Sequence, residues 1–366
     1  MAKREVTTFA GHPIAAQTHQ RIAWVDFAKA AAIILVVLYH IGGSGVNYLF
    51  PASDGPASPI WETVNRVLVP MRMPLFFLTA GVLAQNAIMR NWSTIWHSKI
   101  TVLLWPYLIW SIGFAFLAGY AYSPNKPWVY TADRIIGLAF GFSGYWFLIV
   151  LAIFFITAKL FRSWPTTLLI LSLILAFAAP FLEAAIPETW SGIYTYAPVK
   201  SSRYAFWYFL GCFVAQYASK VSSMSPWTLI LGGGAGFTAL TFAAWDSAHS
   251  ATLSVPLSAT GLVTAVGVSI WAVRNRKIRA LSRYLSGRTL PIYLLHPVLI
   301  NITVLIPILL SVPMGPNELW ATTLTPLLTV AFVSISTFVY DRILPTRFAW
   351  IYQPPRPCSP KTPTAS

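Results

Sequence analysis

Apolar runs of about 20 residues, each long enough as a helix to cross roughly 30 Å of bilayer hydrocarbon, recur in this chain from Trp24 to near Asp341 with short polar breaks between them. A spanning segment must satisfy its own backbone hydrogen bonds, so runs of this length require helices. Ten are legible, at 24–46, 65–85, 100–121, 145–161, 166–183, 203–218, 227–245, 251–273, 289–312 and 320–341. The stretch 133–144 is apolar but short and reads as interfacial or re-entrant. Only 10% of the 366 residues are charged and 56% are hydrophobic, which excludes an ordinary soluble domain. The expected fold is all-α, a polytopic membrane protein of about ten transmembrane helices. It comprises a tail over 1–23, a membrane domain over 24–341 and a Pro-rich tail over 342–366.

A net charge of +15 raises nucleic acid as a partner, but the basic residues are scattered between spans rather than gathered on one element. They act as topology signals. With the N-terminus in the cytoplasm, most of the 25 basic residues fall on the cytoplasmic side, while Asp54, Glu62, Asp133, Glu183, Glu188, Asp246 and Glu318 fall outside. Both termini are therefore expected in the cytoplasm. The polar N-terminus has no small-residue cleavage site after the first apolar run, which reads as an uncleaved signal anchor. Cys212 and Cys358 suggest neither a disulfide framework nor a thiol metal site. Walker-type, HExxH and GxSxG motifs are absent, so no metal is expected. The glycines of Leu231–Gly236 read as helix-packing residues.

Ionisable residues inside spans are costly and mark function by default. Here they are Asp26, Lys29, His40, Arg72 and His296. Asp26 and Lys29 are three residues apart on one helix and can pair. Lys29 and His40 are about three turns apart and share a face, roughly 16 Å apart along the axis. Counting rise along each span puts Arg72 about 20 Å and His40 about 24 Å from the cytoplasmic side, and His296 about 10 Å from it. That arithmetic predicts an inner polar layer of Asp26, Lys29 and His296 and an outer one of His40 and Arg72. Snorkelling lysines and packing histidines are the bland alternative. A transporter using the same buried charges, and a structural membrane partner, are the competing classes.

Six motifs in order carry a resemblance: "RIAWVDFAKAAAIILVVLYH", "MRMPLFFLTAGVLA", "SKITVLLWPYLIWS", "GYWFLIVL", "RYAFWYFLGCFVA" and "LSGRTLPIYLLHPVLI". Together they resemble the acyltransferase-3 family of integral membrane acyltransferases, in the branch similar to fucose 4-O-acetylases. The family's basic residue and histidine, separated by ten others, fall on Lys29 and His40; Ala30 and Ala31 stand where it commonly has Gly, and Thr79-Ala80-Gly81 replaces its Ser-Gly neighbourhood, both small-for-small changes. The resemblance implies a bacterial inner-membrane enzyme with no permanently bound cofactor. It would move an acyl group, commonly acetyl, from acetyl-CoA or another acyl-CoA to a hydroxyl of a glycan or lipid-linked sugar. On that reading the catalytic candidates are His40 (general base or transient acyl carrier), Lys29 and Asp26. Arg72, His296, Trp146, Tyr145 and Arg203 are the substrate-binding candidates, with the lipid bilayer as the remaining partner. The basic stretch "RNRKIRALSRYLSGR" would attract the phosphate-bearing donor.

Overall fold

The structure, a computed structural model, describes residues 21–52, 54–123, 125–187, 196–245, 250–310 and 315–355. Most of the expected tails, with Cys358, lie outside these residues. The described residues contain no strand. The main helices are α1 (Ala23–His40), α2 (Pro59–Ile88), α3 (Val102–Tyr122), α4 (Pro127–Gly137), α5 (Trp146–Leu160) and α6 (Pro165–Ala185). They continue with α7 (Tyr196–Val214), α8 (Pro226–Ala244), α9 (Ser254–Ala272), α10 (Arg276–Ser286), α11 (Thr289–Leu309) and α12 (Glu318–Ile343).

Each of the ten expected segments coincides with a helix, and among the described residues eight helices are long and apolar enough to cross a membrane. The other two are α5, with 15 residues, and α7, which carries Lys200 and Arg203 in its first half. The stretch 133–144 forms the end of α4 and a 3-10 turn, closed by Gly141 in the left-handed region at φ +73°. It is held against α3, where the Tyr107 hydroxyl donates to the Leu138 carbonyl at 2.7 Å.

Local chemistry starts several helices. Proline, whose missing N–H costs nothing in the first turn, opens α2, α4, α6 and α8. Asn275 and Asn317 cap α10 and α12 by accepting from Lys277 N (2.9 Å) and Trp320 N (3.1 Å). The α2–α7 crossing depends on Gly81 and Gly211. A Cβ on Gly81 would lie 2.9 Å from Cys212 N, and one on Gly211 would lie 3.0 Å from Val82 N. Small residues here let two backbones touch, as close helix packing in lipid requires. In the Leu231–Gly236 stretch, Gly233 and Gly236 abut Thr264 and Thr260 of α9, whereas Gly232 faces open space. The apolar outer faces of α6 (Leu171, Ile174) and α8 (Leu231, Phe242) remain exposed, as a lipid-facing surface would.

Polar ties close the two ends of the bundle. At the Trp24 end, the Trp24 indole donates to Ala218 O at 3.0 Å and Lys159 Nζ to Ile88 O at 3.2 Å. There, Trp105 and Trp110 of α3 donate to Trp350 O (2.7 Å) and Ile351 O (2.8 Å), just beyond α12. At the opposite, Asn47 end, Asn47 accepts from Ala57 N at 2.9 Å and the Trp61 indole donates to Thr322 O at 2.8 Å.

Candidate active site

Helix α1 connects the two ends and carries both residues of the Lys29–His40 spacing. Its continuous α-helical geometry holds them about 16 Å apart along the axis. Asp26, 8% exposed in the first turn, accepts from Arg21 Nε (2.6 Å), Arg21 Nη2 (3.1 Å) and the Ser286 hydroxyl (2.8 Å). An acid in a first turn is favoured by the helix dipole. The expected Asp26–Lys29 pairing is corrected: Lys29 Nζ instead donates to the Ser286 carbonyl at 3.0 Å, at the last turn of α10. Carbonyls there have no intrahelical partner, so an ammonium group fits both the hydrogen bond and the dipole.

Lys29 lines a cleft of about 260 Å³ whose other walls include Lys99, Ser98, Thr289, Tyr208, Phe147, Leu148, Leu151 and Tyr293. This inner cleft is mainly apolar, with two ammonium groups at its edge. Lys99 sits in a π-helical stretch, Trp96–Thr101, that leads into α3.

A second π-helical stretch, Ile41–Gly45, begins directly after His40. π-Helical insertions widen a helix and frequently occur at functional sites. Here the glycines allow close approach: a Cβ on Gly42 would lie 3.1 Å from Trp61 Cβ and 3.3 Å from Asn65 Nδ2. The widened turn borders an outer cleft of about 550 Å³ lined by Tyr39, Gly42, Asn47, Glu62, Asn65 and Arg66, among others. Arg66 is held by the Trp245 carbonyl and stacks over its ring at 4.3 Å.

Between the clefts lies a cluster of rings and one guanidinium group. Arg72, 5% exposed, sits 3.9 Å above the centre of the Tyr39 ring, an interaction that partly compensates a buried cation. Pro70 and Pro74 flank it in α2, each removing one helical amide donor. The Tyr39 ring meets that of His40 at 5.0 Å, edge on. On its other side, His40 faces His296 at 5.4 Å, and His296 faces Tyr293 at 5.9 Å. Tyr39 also lines the outer cleft and Tyr293 the inner one, so the chain of rings runs from one cleft to the other.

His296 therefore belongs beside His40, not in a layer with Lys29 and Asp26. The depth count assumed that α11 begins at the bundle rim. It begins deeper, because α10 precedes it and places Ser286 O against Lys29, two turns into α1. Arg72 and His40 do come together, bridged by Tyr39.

The remaining sequence candidates have internal partners. Tyr145 is fully buried and donates to Leu294 O at 2.9 Å, which fixes the start of α5 against α11. Trp146 stacks on Tyr204 at 5.8 Å, with Lys200 at 5.7 Å from its ring. Arg203 forms an ion pair with Glu183. None of the three borders either cleft. Sequence reasoning missed Tyr39, Tyr293, Ser286, Lys99, Glu62 and Asn65. Tyr39 and Tyr293 stand one and three residues before the two histidines, and Ser286 is the second residue of the quoted "LSGRTLPIYLLHPVLI"; those positions were the available signal. Among the described residues, no group of His, Cys, Asp and Glu is arranged to hold a metal ion.

A family model described as an acyltransferase domain, that of the acyltransferase-3 family, matches residues 22–340. The chain is also similar to the inner membrane protein YcfT of Escherichia coli (strain K12), with 24% identity over 309 residues, covering 77% of this chain and 81% of that protein. No solved structure matches it.

Proposed function

From the premise that the chain belongs to the acyltransferase-3 family, we propose that it is an inner-membrane O-acyltransferase using a cytoplasmic acyl-CoA, commonly acetyl-CoA, to acylate a hydroxyl of a glycan or lipid-linked sugar, as in the fucose 4-O-acetylase-like branch. The observation that carries this reading is the position of His40 within the chain of rings that joins the two clefts.

The Trp24 end is assigned to the cytoplasm because Arg276, Lys277, Arg279 and Arg283 are exposed there on α10. These cations and Lys99 would draw in the donor's phosphates, and the apolar inner cleft would take the thioester arm toward the rings. At the other end Asn47, Glu62 and Asn65 offer hydrogen-bonding groups, and Tyr39 a ring face, suited to a sugar. His40 then removes the acceptor's hydroxyl proton as its oxygen attacks the thioester carbon. The C–O bond forms, the C–S bond breaks, and the proton passes to the departing CoA thiolate. Arg72, close by through Tyr39, stabilises negative charge on the thioester oxygen. Lys29 and Asp26 hold the donor side, with Ser286 shared between them.

Membrane vesicles carrying the full chain and given [14C]acetyl-CoA provide the test. Label should enter envelope carbohydrate with the natural protein. With His40→Gln incorporation should fall by on the order of 100-fold or more. A stably inserted His40→Gln protein with full incorporation would remove His40 from the chemistry. Passage of a glycan across the vesicle without label would favour an exporter.

A further inference from the structure

His296 is 1% exposed, and its Nδ1 lies 3.0 Å from the Ile292 carbonyl oxygen one turn earlier. A carbonyl can only accept, so Nδ1 carries the proton, and in the neutral ring Nε2 is then a bare lone pair. That Nε2 is enclosed and has no hydrogen-bond partner among the described residues. Leaving a buried polar atom unpaired costs about 1–3 kcal/mol, so such an atom calls for an explanation. What lies next to it is His40, with ring centres 5.4 Å apart and planes tilted by 38°. The two rings are neighbours but make no hydrogen bond in this arrangement, so a bond between them requires the His40 imidazole to turn about its χ2.

Resting on the reading of His40 as the proton acceptor, we infer that His296 is a positioning residue whose unpaired Nε2 accepts a hydrogen bond from one ring N–H of His40 when the His40 ring turns toward it with the acceptor bound. That bond selects the His40 tautomer whose other nitrogen presents a lone pair to the acceptor hydroxyl. When His40 takes the proton, the same bond stabilises the imidazolium ion, the role a carboxylate has in a hydrolase triad. His296 gains and loses no proton: the acceptor's proton goes to His40 and then to the thiolate. Tyr293, whose ring lies 5.9 Å from that of His296, helps to hold it in place. Tyr293 is pinned through its hydroxyl to Gly144 O at 3.1 Å.

The experiment uses the full chain in membrane vesicles, with [14C]acetyl-CoA as probe and incorporation into envelope carbohydrate as readout. His296→Gln places an amide oxygen near the Nε2 position, His296→Asn places one near Nδ1, and His296→Leu supplies neither. Leu and Asn should lower kcat by on the order of 100-fold while KM for acetyl-CoA changes by less than about twofold; Gln should retain kcat within about tenfold of the natural protein. Equal losses in Gln, Asn and Leu, or a loss expressed only in KM, would overturn the assignment. If Leu fails to insert, the Gln–Asn contrast decides alone. Full incorporation with His40→Gln would remove the premise itself. An inactive His40→Gln beside three fully active His296 variants would refute only the role given to His296.

Discussion

Replacing Lys29 by Met separates charge from shape. The thioether side chain follows nearly the path of the lysine stem, so the apolar wall of the inner cleft is preserved. The ammonium group makes one hydrogen bond, to Ser286 O at 3.0 Å. That carbonyl keeps a contact from the Thr289 hydroxyl at 3.5 Å, so the substitution does not leave it bare. Asp26 keeps all three bonds from Arg21 and Ser286. Folding should therefore change by less than about 1 kcal/mol. If the ammonium group contacts the donor, the loss is that of a charged hydrogen bond, about 1.5–3 kcal/mol. At 1.4 kcal/mol per tenfold, KM for acetyl-CoA should rise about 10- to 150-fold with kcat little altered. Initial rates in vesicles over a range of acetyl-CoA concentrations supply both constants. Lys29→Arg, which retains charge but needs more room beside Phe147 and Tyr293, should fall between the two. An unchanged KM with a collapsed kcat would place Lys29 at the chemistry, and two unchanged constants would reduce it to a topological marker.

Two further substitutions address packing and the outer cleft. Gly81→Ala should cost about 1–3 kcal/mol and lower the unfolding temperature in detergent, because the new Cβ meets α7 backbone, whereas Gly232→Ala, with nothing within 4 Å, should be neutral or slightly stabilising. Equal melting of the two variants would show that the α2–α7 crossing is not tight. Tyr39→Leu removes the ring under Arg72 and should cut incorporation at limiting acceptor about 2- to 30-fold, while Tyr39→Phe keeps most of it. A loss in Phe equal to that in Leu would assign the effect to the hydroxyl instead.

The spans were readable because length and hydropathy are local properties, and the Lys29–His40 spacing was readable because both residues share one uninterrupted helix. Relations between helices were less accessible. His296 was placed a layer too low because the count along α11 had no means of knowing that α10 sets its starting depth. The Asp26–Lys29 pairing was inferred from spacing on one helix, but Arg21 and Ser286 outcompete Lys29 with better-placed donors. Tyr39 and Tyr293 were overlooked for a different reason. Among the chain's 16 tyrosines, neither looks different from an interfacial anchor until its ring is seen against a histidine.

The bonds from Trp105 and Trp110 to Trp350 and Ile351 have a bearing on the order of events during synthesis. Trp105 must wait for a partner 245 residues later in the chain. At about 5–20 residues per second, that delay lasts roughly 12–50 s. Through that interval the two indole donors on α3 can be satisfied only by lipid headgroups, water or translocation machinery. Assembly around α3 is therefore completed by the last segments to be made, and a ribosome stalled after α12 would hold an inserted but unlatched bundle.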